Sequence, residues 1–78
     1  MFIIDVPEGS EVVIKEIIGG KGFISKILSL GIRSGDKVKV IQNRKGPIII
    51  VKDSIKIALG HGTGKKIIVE ECNKSGED

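Results

Sequence analysis

The chain reads as an all-β fold, a small closed barrel of about five short strands with one short helix inserted, and three observations carry that expectation. The apolar residues are mostly isoleucine and valine, which favour a pleated, half-buried surface. Eleven glycines punctuate them, dividing the chain into short runs joined by tight turns. With 78 residues there is room for one domain only. In so small a domain, several short strands are better closed on themselves than left with open edges.

The elements follow in order. Pro7-Glu8-Gly9-Ser10 reads as a turn, and Glu11 to Ile18 after it as a strand of mixed burial. Gly19-Gly20-Lys21-Gly22 breaks that strand. From Phe23 to Leu30 the apolar residues fall at 23, 24, 27, 28 and 30, one face of a short helix, and Gly31 follows as the residue that ends it in the left-handed conformation. The turn Arg33-Ser34-Gly35-Asp36 introduces Lys37-Val38-Lys39-Val40-Ile41, whose alternation is that of a half-buried strand with a solvated lysine face. Asn43-Arg44-Lys45-Gly46 turns the chain again. Pro47, which lacks an amide proton, suits the first position of the apolar strand Ile48 to Val51. Ser54 to Leu59 fits either an irregular strand or one helical turn. Gly60-His61-Gly62-Thr63-Gly64 reads as a flexible loop and Lys66 to Glu71 as a last strand. The domain is thus expected over 1–72, with a polar tail over 73–78 that has too little apolar surface to order itself. Leu28 and Leu30 on the helix, with Val38, Val40 and Ile50 on strands, are the expected core.

Chemistry is expected to be sparse. Cys72 is the only cysteine, so no disulfide forms within the chain, which points to a reducing, cytoplasmic compartment. Asp5, Pro7 and Glu8 interrupt any signal-peptide core near Met1. The apolar run Ile48 to Val51 falls far short of the roughly 20 residues that span a bilayer, so any membrane role is peripheral. One histidine and one cysteine satisfy no metal-ligand pattern, and no metal or cofactor is expected, although His61 in its glycine-rich setting is the position where a metal would bind adventitiously. Gly60 to Lys66 has the look of a phosphate loop, yet a Walker motif ending at Gly64-Lys65 needs glycine at Leu59 and a hydroxyl at Lys66. No serine or cysteine is placed to act with His61, so no catalytic residue and no enzyme is expected.

Charge is more informative. Residues 21–66 carry eleven Lys or Arg against Asp36 and Asp53, while 1–20 and 67–78 each carry one lysine against four acids. A basic centre between acidic ends is suited to an acidic protein, anionic lipid or nucleic acid. The same charges also serve as a solvated fringe that keeps an isoleucine-rich barrel soluble. Both readings stand at this point.

Taken in order, Val6-Pro7-Glu8-Gly9, Gly19-Gly20, Leu30-Gly31-Ile32, Gly35 to Val40, Gly46-Pro47 to Val51, Ala58-Leu59-Gly60 and Ile67-Ile68-Val69 resemble the small FeoA proteins of ferrous iron uptake, nearly end to end. No single piece is specific, whereas their order and spacing are. The resemblance implies an SH3-like barrel with an inserted helix, a cytoplasmic location, and a role as accessory to the membrane iron transporter FeoB, through its cytoplasmic GTP-binding domain or its membrane-facing surface. It implies structural roles for Gly31, Gly35, Gly46, Pro47 and Gly60 and hands over no catalytic residue. Where the family commonly has a short helix after Ala-Leu-Gly, this chain has Gly62-Thr63-Gly64. For partner binding, Lys21, Lys26, Arg33, Arg44 and Lys45 are the candidates, flanking the helix or lying in turns. Weak self-association stays open.

Two rivals share the fold. Gly35 to Ile41 with Lys45-Gly46 also resembles the KOW motif of ribosomal and transcription proteins. Against a nucleic-acid role stands an aromatic content of Phe2 and Phe23 alone, which leaves little for base stacking, and no nucleic acid is expected. The other rival is a detached SH3-like domain of an iron-dependent repressor.

Overall fold

The computed structural model of the chain describes residues 1–44 and 46–72. Lys45 and the tail expected over 73–78 lie outside the described residues. A 3-10 turn over Ile3–Asp5 precedes β1 (Glu11–Ile17), α1 (Lys21–Ser29), β2 (Lys37–Gln42), β3 (Ile48–Lys52), β4 (Ile55–Leu59), α2 (His61–Gly64) and β5 (Ile67–Glu71). The strands form one antiparallel sheet in the order β4-β3-β2-β1-β5; among the described residues β4 and β5 do not pair, so the barrel is open along that seam rather than closed as expected. Of the two readings open for 54–59, the strand is the one formed.

Side-chain alternation builds the core. Each strand sends two residues inward, two positions apart: Val12 and Ile14, Val38 and Val40, Ile48 and Ile50, Ile57 and Leu59, Ile67 and Val69. Register keeps these sets on one face, with Val12 opposite Val38 and Val40 opposite Ile50. Ile3 and Val6 enter from the N-terminal segment, and Ile27 and Ile32 from either side of the end of α1. Bulges between Ile14 and Glu16 and between Val40 and Gln42 add the local twist that wraps five short strands around one core.

Two expectations about the core and one loop are corrected. Val38, Val40 and Ile50 are buried, but Leu28 and Leu30 are 46% and 43% exposed. The helix starts two residues earlier and stops one residue earlier than the apolar spacing suggested, and it presents a narrow stripe: Ile27 is its single buried side chain, flanked by half-buried Phe23 and Ile24. Ile32, beyond the glycine, is the buried residue at that end. The second correction concerns 60–64, where a helical turn forms in place of a flexible loop. Gly64 is buried there, and a Cβ on it would collide with Ile48 Cδ1 and lie 3.1 Å from Ile4 Cβ. The absence of a side chain is what lets α2 lie against the barrel.

Gly31 ends α1 as expected, with φ of +91° and its amide donating to the Leu28 carbonyl at 2.9 Å. The β3–β4 hairpin is closed by Asp53 and Ser54 with φ of 50° and 72°, the primed turn whose twist suits a two-residue hairpin and which prefers glycine at its second position. Ser54→Gly is therefore expected to raise stability by about 0.5 to 1 kcal/mol. Urea unfolding checks it: the midpoint moves up with an unchanged slope, and a lower midpoint refutes the strain at Ser54.

Candidate interaction surface

The basic residues are distributed by the strand directions between two ends of the barrel and its outer face. β1 leads into α1, and α1 leads back to the start of β2, so Lys21, Lys26 and Arg33 belong to one end. All three are exposed. Arg44 lies in the β2–β3 turn, at the far end of a six-residue strand, about 20 Å away at 3.3 Å per residue. The structure thus brings together three of the four described candidates and separates the fourth.

A polar lock organises the α1 end. The Arg33 amide donates to Asp36 Oδ2 at 2.8 Å, and Lys52 Nζ lies 3.0 Å from the same oxygen while also donating to the Gly31 carbonyl. Ser34 Oγ donates to the Lys15 carbonyl at 2.6 Å, where the β1 bulge leaves it free. Helix end, turn and β3 are tied together by these few bonds, which fixes the backbone that carries Arg33. Partial burial pushes the Asp36 carboxyl up, but the bonds from Lys52 and the Arg33 amide and the attraction of both cations outweigh it and hold the group below the ordinary carboxylate range.

The sign of the pH effect follows. A carboxyl depressed in the folded state contributes stability that is present above its unfolded value of about 3.9 and is lost as pH falls through the folded value. Asp36→Asn is expected to cost about 1 to 3 kcal/mol at neutral pH and to flatten the loss of stability below about pH 4. Urea midpoints measured from neutral to acid pH check this; parallel curves for parent and variant refute the role given to Asp36.

At the other end Asn43 binds the N-terminal segment, its Nδ2 donating to the carbonyls of Ile4 and Val6 at 2.8 and 2.7 Å. Glu8 accepts from the Asn43 amide at 2.7 Å and from Arg44 Nε at 3.1 Å. The Asn43 amide, followed by Arg44, holds the Glu8 carboxyl below its usual range against the opposing effect of desolvation. Arg44 is therefore already engaged, although most of its side chain is in water. His61, at the start of α2, lies with Nε2 3.1 Å from the Arg44 carbonyl oxygen. Gly35 and Gly46 carry positive φ in the turns, Pro47 directly precedes β3, and Gly60 caps α2 with ordinary extended φ and open space where a Cβ would be.

The outer face of the sheet holds the solvated lysines expected of β2, joined by Lys56, none of them among the partner-binding candidates. Register places Lys56, Val51, Lys39 and Glu11 in one row across four strands. The signal was present in the alternation of Lys37, Val38 and Lys39, while Lys56 joined them only once 55–59 became a strand. Among the described residues no three His, Cys, Asp or Glu side chains gather as a metal site, and no helix is long and apolar enough to cross a membrane.

A family profile described as FeoA domain matches residues 3–71. The chain belongs to the FeoA family. A curated relative, "Putative Fe(2+) transport protein A" of Methanocaldococcus jannaschii, is 44% identical over 71 residues, covering 91% of this chain and 87% of the relative. A crystal structure described as iron uptake regulatory protein (FeoA) superposes with a TM-score of 0.86 at 25% identity, covering 92% of this chain and 97% of the other. The FeoA-like protein of Clostridium acetobutylicum gives 0.80 at 22% identity, over 91% and 85% of the two chains. These place the FeoA chain in the SH3-like class expected from its sequence. A manganese-dependent transcriptional repressor also contains the FeoA fold, with a TM-score of 0.84 at 20% identity, matching 92% of this chain but 41% of the repressor; the likeness is one of fold.

Proposed function

We propose that this FeoA protein is a non-enzymatic, cytoplasmic accessory of ferrous iron transport that binds and modulates the membrane transporter FeoB. Membership in the FeoA family over nearly the whole barrel is the observation that carries the reading. The α1 end supplies the recognition surface: Lys21, Lys26 and Arg33 are exposed there, on backbone fixed by the Asp36–Lys52 lock. An acidic region of the transporter's cytoplasmic GTP-binding domain is the complementary partner.

Each surface charge contributes little alone, so the test combines them. A variant carrying Lys21→Glu, Lys26→Glu and Arg33→Gln, shown to be folded by circular dichroism, is compared with the parent for binding to the purified transporter at low and high salt. The variant is expected to associate more slowly at low salt and to lose much of its salt dependence, because such attraction is screened over about 8 Å at physiological ionic strength. Equal association rates and equal salt dependence would sink the basic-end reading.

A further inference from the structure

We propose that the outer edge of β4 is a docking site for an extended acidic segment of a partner protein, taken up as a sixth strand. β4 ends the sheet order, and its hairpin register pairs Ile55 with Lys52, Ile57 with Ile50 and Leu59 with Ile48. In a two-residue hairpin the residues flanking the turn exchange both hydrogen bonds, and every second pair repeats the pattern. Ile55, Ile57 and Leu59 therefore direct their amides and carbonyls at β3, and Lys56 and Ala58 direct theirs outward. Both residues are exposed, and no backbone group of the described residues outside the strand ladder pairs with them.

The two edges of the sheet are treated differently. β5 is covered by the N-terminal residues, through the Phe2 to Ile68 bridge and the Val69 amide donating to the Met1 carbonyl at 2.7 Å. Among the described residues nothing of that kind covers β4, which has no proline and no bulge in its ladder with β3; Lys56 is its one protective charge. A regular row of outward amides and carbonyls is what strand addition requires.

The flanking side chains specify the occupant. On the core side of β4, Ile55 is 62% exposed, and the bond from Lys52 to the Gly31 carbonyl brings the C-terminal end of α1, with exposed Leu28 and Leu30, to the same end of the sheet. On the outer face, Lys56 and Lys39 flank Val51. An added strand meets apolar surface on one side and lysine on the other, so alternating apolar and acidic residues complement it. Two copies of this chain joined edge to edge would instead bring two Lys56 side chains onto one face of the joined sheet.

The test needs no transporter and is thereby separable from the proposed function. The probe is a blocked hexapeptide of alternating glutamate and valine, titrated to millimolar concentration into isotope-labelled protein. The amide resonances of Lys56 and Ala58 are expected to shift and their solvent exchange to slow, while Ile57 and Leu59 exchange slowly before any peptide is added. A lysine-valine hexapeptide is expected to have no effect. Ala58→Pro removes an outward amide at an edge position that tolerates proline and should weaken binding about tenfold. Should that variant not fold, the exchange measurements on the parent decide alone. The proposal is overturned if the acidic peptide leaves Lys56 and Ala58 unchanged, if the shifts map elsewhere, if a folded Ala58→Pro binds equally, or if the lysine peptide acts alike. Concentration-dependent shifts of these amides without peptide would mean the edge pairs with a second copy, which also overturns it.

Discussion

Gly64→Ala is expected to destabilise the protein by about 1 to 3 kcal/mol, although the same change inside a helix ordinarily stabilises by up to about 1 kcal/mol. The reversal comes from packing. A Cβ at 64 collides with Ile48 Cδ1 and approaches Ile4 Cβ to 3.1 Å, and Ile48 is fully buried in a close-packed core, so its side chain must shift among packed neighbours to make room. Either Ile48 leaves its rotamer or α2 lifts from the barrel. In a domain of this size each kcal/mol moves the midpoint of thermal unfolding by about 4 to 8 °C, so the effect is easily measured. Gly62→Ala is the control: it sits in the same turn with open space around its Cβ position. It is expected to be neutral or stabilising, and equal losses at 62 and 64 would refute the packing argument.

Ile27→Ala is expected to cost about 2 to 5 kcal/mol, whereas Leu28→Ala costs under about 1 kcal/mol. The two positions are adjacent and chemically alike; only the helix rotation separates them. Ile27 is 2% exposed and is the one side chain α1 buries, so truncating it opens a cavity and loosens the helix. Leu28 is nearly half in water before it is cut. Denaturant unfolding of both variants reads the difference directly. Equal destabilisation would return Leu28 to the core.

The strands were legible because their two signals, alternation and β-branching, are local. Lys37 to Val40 alternate, and Val38 and Val40 are buried as that alternation requires. The helix was legible in place but not in rotation. Residues 23, 24, 27, 28 and 30 span an arc wider than a nine-residue helix can bury, and which part faces inward is decided by the barrel's shape. The α2 turn was illegible for a related reason: a glycine-rich run is a poor helix former alone, and only contact with Ile4 and Ile48 makes the missing side chain an advantage. Charge was legible as a count. Its division into an α1 end, an engaged Arg44 and an outer row through Lys39 and Lys56 depended on strand register across distant segments.

The placement of β1 has a consequence for how the protein is made. β1 lies between β2 and β5, and Phe2 bridges to Ile68, so the opening segment of this domain pairs with its last strand. During translation the β2–β3–β4 meander has all its partners early, while the inward faces of Val12 and Ile14 wait for Val69. Long-range closure between the β1 segment and β5 must precede that reward, which sets a slow step and a period in which an isoleucine-rich surface is bare. The lysines of the middle segment precede β5 in synthesis, so the nascent chain carries its strongest net charge while that surface is exposed, and mutual repulsion between unfinished copies protects it until the last strand arrives.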